Sequence, residues 1–139
     1  MSDIKTNEYK SIIGSNLRFW RNIRGLKQEY IGKKIGLNRS YISKIENGEA
    51  NPSLEYLSKI AQLLNVDIED IVAPQPHREL VLEVFEDKSI DPPVTDDELK
   101  DLLSLRFRSK EPNLNFFYFM LELLRGGKTF FSEKEGSKR

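Results

Sequence analysis

At 139 residues the chain has room for one compact domain or two small ones, and its 38% hydrophobic and 32% charged residues exclude wholesale disorder. No apolar run approaches the roughly 18 residues that a membrane span needs, and the N-terminus, "MSDIKTNEYK", lacks the apolar core of a signal peptide. With no cysteine there is no disulfide framework and no thiolate metal site, so a cytoplasmic protein is the simplest expectation. The net charge of zero hides an asymmetry: from Leu17 to Lys44 there are eight basic residues and one acidic residue, Glu29. Such a patch on a neutral chain points to a polyanion-binding face, although a merely solvated basic surface has the same composition.

Residues 9–24 place Ile13, Leu17, Trp20 and Ile23 near one stripe of a helix that Gly25 ends. Gln28 to Ile35 predict a short helix with Ile31 and Ile35 inward, closed by Gly36 at a position suited to positive φ. Asn38 is placed to cap a third helix, with Ile42 and Ile45 inward and Gly48 at its end. "NPS" then re-initiates with Ser53 as N-cap, and Leu54, Leu57, Ile60, Ala61 and Leu64 have the spacing of a buried helical stripe. Asp67 heads a last short helix carrying Ile68, Ile71 and Val72. Nothing in this half reads as strand, so residues 1–73 predict a five-helix bundle.

The prolines of "APQPHRE" interrupt helix and mark a linker at 74–78. A second helical unit is expected over 79–127. It contains "ELVLEVFED", a break at "DPPV", and "TDDELKDLLSLRF", which opens on a capping box between Thr95 and Glu98. After a further break at "KEP", "NLNFFYFMLELL" is an intensely apolar helix stopped by Gly126 and Gly127. Residues 128–139 read as a flexible tail. The apolar helix has no polar face wide enough for a lone surface helix, so much of it is expected to be buried in its own domain or against a second subunit. His77 has no evident partner and is expected to be solvated. The acidic cluster Asp96, Asp97 and Glu98 is explained by capping and the helix dipole. No catalytic constellation, Gly-rich phosphate loop or metal-spacing motif is present, and the expectation is a non-enzyme without cofactor or metal.

Two short helices at a steep angle, the first supporting and the second protruding, have the form that inserts a helix into the major groove of DNA. The stretch "KQEYIGKKIGLNRSYISKIENGEANPSLEYLSKIAQLLNV" resembles the helix-turn-helix domain of the phage-repressor/Cro (XRE) superfamily, over roughly residues 12–73. Its markers are Gln28, Gly32, Gly36, Ile42, Ile45, Glu46 and Gly48. Gly32 departs from the family's usual alanine and loosens the helix by about 0.5–1 kcal/mol. The resemblance implies an all-α, lambda-repressor-like DNA-binding domain in which Gln28 bonds a phosphate or an edge base. It puts Arg39, Ser40, Tyr41 and Lys44 on the solvent-facing turns of the recognition helix. Arg39 and Lys44 suit guanine, while Tyr41 suits a thymine methyl or a phosphate. Asn38, Ser43 and Asn47 are assigned to phosphates. Asn38 as a cap alone, and Tyr41 packed on the fourth helix, are the structural alternatives. Arg21 and Glu46 occupy positions that form an internal ion pair in relatives.

One recognition helix reads only about four base pairs, and relatives bind as symmetric dimers on palindromic operators. The second unit is the expected dimerisation domain, with Phe116, Phe117, Phe119, Met120, Leu123 and Leu124 as its contact residues. "VTDDELKDLLSLRFRSKEPNLNFFYFMLELL" is also similar, in helix spacing, to the C-terminal domain of DdrO-type radiation- and desiccation-response repressors. That resemblance implies a homodimeric repressor cut by a dedicated metallopeptidase in the DNA-damage response, with the scissile bond near Phe107–Arg108. The competing expectation is an antitoxin or mobile-element repressor whose C-terminal helices bind a protein partner.

Overall fold

In the computed structural model, which describes residues 2–105 and 112–126, every regular element is an α-helix. The expected cleavage position, Phe107–Arg108, and the expected tail at 128–139 lie outside the described residues. The chain divides into two compact units between Pro74 and Gln75.

The first unit holds α1 (Ser2–Ile23), α2 (Gln28–Ile35), α3 (Arg39–Glu46), α4 (Leu54–Leu64) and α5 (Ile68–Val72). Helix α1 begins at Ser2 rather than near residue 9. Leu17 and Trp20 of α1, Ile31 of α2, Ile42 and Ile45 of α3, and Ile60 and Leu64 of α4 are removed from solvent, which makes one core shared by all the long helices. The caps follow the sequence. Asn38 Oδ1 accepts from the Tyr41 N–H at 2.8 Å, and Ser53 Oγ accepts from the Tyr56 N–H at 3.3 Å. The Asp70 carboxylate accepts from the Asp67 N–H at 2.8 Å. Leu54 departs from expectation: it is 71% exposed, although its spacing fits the buried stripe. It is the first residue of α4, and helical side chains lean toward the N-terminus, so this one lies beyond the end of the core layer.

Helix α1 runs unusually close to the end of α3. A Cβ on Gly14 would lie 2.4 Å from the Ile45 carbonyl oxygen and 2.6 Å from that of Glu46. Only a residue without a side chain permits that approach.

The second unit holds α6 (Arg78–Glu86), α7 (Asp96–Leu103) and α8 (Leu114–Leu124). Val81 and Val84 of α6, Leu99 and Leu102 of α7, and Phe117 and Leu121 of α8 form its core. The capping box of α7 is formed: Glu98 N–H donates to Thr95 Oγ1 at 3.1 Å, and Thr95 N–H donates to Glu98 Oε1 at 2.9 Å. Helix α7 stops at Leu103, where the Ser104 hydroxyl turns back to the Lys100 carbonyl at 2.8 Å.

Two polar contacts hold α8 against its neighbours. Arg125 donates to both oxygens of Glu98 at 2.6 and 2.8 Å and to the Pro93 carbonyl at 3.1 Å. The Tyr118 hydroxyl donates to Asp87, whose other oxygen accepts from the Ser89 N–H and hydroxyl. Two sequence expectations are corrected here. Phe117, expected among the dimerisation contacts, fills the core of its own unit. His77 is half-buried rather than solvated, its ring 6.0 Å from that of Phe117. The opposite side of α8 stays open: Phe119, Leu123 and Leu124 are 51%, 53% and 44% exposed, with Phe116 and Met120 half-buried between them.

Gly14→Ala is expected to invert the usual helix preference. In an ordinary helix the change stabilises by about 0.5–1 kcal/mol. Here it lowers the urea midpoint, because the new methyl meets backbone rather than a side chain that can move. The hydrogen bond to Asp87, with burial and the nearby charges of Asp87 and Glu83, pushes the Tyr118 phenol up to about 12. Because the folded value lies above the ordinary one, this contact holds below pH ~10 and fails as the pH rises through the raised value. A phenolate absorbance titration should show one of the five tyrosines ionising near 12, and Tyr118→Phe should delete that step.

Candidate nucleic-acid interface

The site is built on the α2–turn–α3 unit. Gly36 closes α2 at φ 81°, a left-handed conformation that favours glycine, and its N–H returns to the Gly32 carbonyl. The Leu37 N–H donates to the same carbonyl at 2.8 Å. A Cβ on Gly32 would sit 2.5 Å from the Leu37 carbonyl oxygen. In this chain the departure from alanine is therefore matched to a turn that lies closer to α2 than a methyl allows.

Helix α3 has two faces. Ile42 and Ile45 are fully buried, and this fixes its rotation. Arg39, Ser40, Lys44 and Asn47 are exposed on the opposite face, with Ser43 half-buried among them at helical spacing. Tyr41 is half-buried at the side of this face, and Asn38 is exposed at its start. The Asn38 carbonyl oxygen is used by the cap, which leaves its amide NH2 as the group offered outward.

Behind that face lies a charged junction. The Glu46 side chain is fully buried at the end of α3. Arg21 of α1 donates to it from Nε at 2.6 Å and from Nη2 at 3.0 Å. Gln28, at the start of α2, donates from Nε2 at 3.0 Å, and Arg18 of α1 from Nε at 3.3 Å. Burial pushes the Glu46 carboxyl up, but the hydrogen bonds from Arg21, Gln28 and Arg18 and the charge of Arg21 outweigh it and hold the group below its ordinary value. Gln28 is thus tied into the junction by one amide hydrogen, and its carbonyl oxygen and second hydrogen are left for other contacts.

The basic residues do not all serve one surface. Arg21 turns inward and also donates to the Leu26 carbonyl at 2.9 Å. Arg24 donates to the Leu64 carbonyl at 2.8 Å, at the C-terminus of α4, and lies over the Trp20 ring at 5.1 Å. Lys27, Lys33, Lys34, Arg39 and Lys44 remain exposed. Arg18, not singled out by the sequence, is half-exposed and donates from Nη2 to Asn47 Oδ1 at 2.7 Å. Its sequence signal was its place three residues before Arg21, on the same side of α1. Among the described residues no cluster of His, Asp or Glu is arranged to hold a metal, and no helix is long and apolar enough to cross a membrane.

A glycine-closed pair of short helices, the second with a polar and basic outer face, defines the class as a helix-turn-helix DNA-binding unit. Residues 17–71 match the helix-turn-helix family model. The chain is 35% identical over 74 residues to control protein C.SmaI of Serratia marcescens, a match spanning 53% of this chain and 88% of the relative. It is 41% identical over 56 residues to the ImmF control region 10 kDa protein of Bacillus phage phi105, across 40% of this chain and 62% of that one. Among solved structures, the restriction-modification controller protein C.AhdI from Aeromonas hydrophila is 32% identical, over 47% of this chain and 94% of that chain, with a TM-score of 0.45. The chain belongs to the helix-turn-helix family of XRE type, whose members are DNA-binding transcriptional regulators.

The junction gives the site an acid limit. A carboxylate whose folded value is lowered stabilises above its unfolded value, about 4.3, and ceases to do so as the pH falls through the folded one. Urea midpoints of the wild type should therefore fall below about pH 4, and Glu46→Gln should flatten part of that decline. At neutral pH Arg21→Met, which leaves a buried carboxylate short of its main partner, should cost about 3 kcal/mol.

Proposed function

We propose that this chain is a sequence-specific transcriptional repressor that binds palindromic operators as a homodimer, as a cytoplasmic, nucleoid-associated protein. The observation that carries the DNA-reading part is the two-faced α3, with Ile42 and Ile45 locked inward and Arg39, Ser40, Lys44 and Asn47 outward. In this reading Arg39 and Lys44 address guanine edges, with Ser40 and Tyr41 beside them. Asn38, Ser43, Asn47 and the free amide groups of Gln28 take phosphates and fix register. The dimer is assigned to the outer stripe of α8, namely Phe116, Phe119, Met120, Leu123 and Leu124. These residues repeat at the i, i+3, i+4 spacing of one helical face and carry no charge.

Stress-induced inactivation by a metallopeptidase belongs to the same proposal. Its support is the DdrO-type resemblance, and its test is whether such a peptidase cuts between Phe107 and Arg108 and releases DNA. An antitoxin or mobile-element repressor would use the same α8 stripe against a different protein, so oligomeric state separates the two readings.

Full-length protein incubated with a random duplex pool at a stated salt concentration should enrich an inverted repeat, with half-site centres roughly 34–36 Å apart or a multiple of that. Arg39→Ala should relax the preference at one base position per half-site and cost about 1–3 kcal/mol. Phe119→Glu combined with Leu123→Glu should leave a folded monomer that enriches no paired sites. A wild type that is monomeric at the highest attainable concentration and selects single half-sites would remove the dimer and favour the protein-partner reading.

A further inference from the structure

We propose that Arg18 is a positioning residue of the DNA site, holding the Asn47 amide so that only its NH2 faces a backbone phosphate. The inference rests on the DNA-binding reading above and deepens it. Asn47 caps the C-terminus of α3 and is exposed, with its backbone N–H returned to the Ser43 carbonyl at 3.0 Å. An unrestrained asparagine at that place presents either end of its amide. The carbonyl end repels a phosphate oxygen, since both are acceptors, whereas the NH2 end donates to it.

Arg18 removes that ambiguity. Its Nη2 donates to Asn47 Oδ1 at 2.7 Å, which engages the carbonyl end and leaves the two amide hydrogens for another acceptor. Arg18 is itself held by Nε on Glu46 Oε1 at 3.3 Å, and Glu46 is fixed from its other oxygen by Arg21 at 2.6 Å. The chain of contacts from α1 and the buried carboxylate to the C-cap of α3 is continuous, and every donor in it faces an acceptor. Asn38 at the other end of α3 is oriented in the same sense, its carbonyl taken by the helix cap. Each end of the helix therefore presents an amide as a donor, which is the polarity that a phosphate backbone requires.

The decisive variant is Arg18→Lys, which keeps the charge and loses the guanidinium fork. Binding is measured on the duplex that the wild-type protein enriches, with thermal melting to confirm that each variant is folded. Arg18→Lys should weaken binding about tenfold, evenly across sequences, in the Asn47 background. In an Asn47→Ala background it should weaken binding by no more than about twofold. An equal loss in both backgrounds, or no loss in either, overturns the proposal. Without DNA, the Asn47 side-chain amide should give the nitrogen relaxation of a rigid group in the wild type and of a mobile one in Arg18→Lys. An amide equally mobile in both proteins overturns the positioning role even if the protein binds DNA. A rigid Asn47 amide in a wild type that binds no duplex keeps the Arg18–Asn47 contact and removes the DNA reading, and with it the phosphate that this contact was assigned to serve.

Discussion

The helix-turn-helix of the first unit depends on the buried charge of Glu46. Glu46 ends the helix that faces outward, and its carboxylate gathers Arg18 and Arg21 from α1 and Gln28 from the start of α2. Burying a carboxylate carries a desolvation cost of several kcal/mol, and well-placed hydrogen bonds are needed to offset it. An apolar residue of similar size would fill the space with less demand, yet it would not fix direction. Hydrogen bonds do fix it: each donor reaches Glu46 along its own line, so α3 is held in rotation and in axial position together. The two glycines that let the helices approach, Gly14 and Gly32, belong to the same arrangement. Each faces carbonyl oxygens at distances that a methyl group would close, and neither is required by a positive φ.

This junction also explains how the basic residues are divided. A patch counted along the sequence treats every arginine and lysine as equivalent, but position on the helix assigns them different work. Arg21 neutralises the buried acid, and Arg24 closes the C-terminus of α4 over Trp20. The lysines and Arg39 stay exposed, and on the proposed reading they are the charges that attract the DNA polyanion. Arg18 is half-exposed and belongs to both groups.

Much of this was legible in the sequence because it is local. Caps at Asn38, Ser53 and Thr95, the left-handed Gly36, and the inward pair Ile42 and Ile45 each follow from a few neighbouring residues, and all are present. The Arg21–Glu46 pair was reached by family resemblance and has the expected partners. What escaped was tertiary. Leu54 has the right phase for the core but lies at the end of its helix, past the layer that would cover it. His77 reads as linker until Phe117, forty residues away in sequence, is seen beside it. Phe117 itself could not be told from its aromatic neighbours, because a helix made almost wholly of apolar residues has no polar face to reveal its phase. The internal use of Arg24 and the bond from Arg18 to Asn47 join residues 40 and 29 positions apart, and no local pattern encodes them.

The phase of α8, once fixed, separates folding from association. Phe117 and Leu121 complete the core, while Tyr118 and Arg125 tie the same helix to Asp87 and Glu98, so the inner side is held by apolar and polar contacts alike. Phe119, Leu123 and Leu124 of the outer stripe stay outside that core. On the proposed reading it is retained because a single α3 addresses too few base pairs to select a site. Joining two units makes the second half-site binding intramolecular, and affinity then rises without any new contact to DNA. The same logic runs in reverse. Separating the two copies returns each half-site to its own weak affinity, so a regulator built this way is released from its operator by a change that never touches α3.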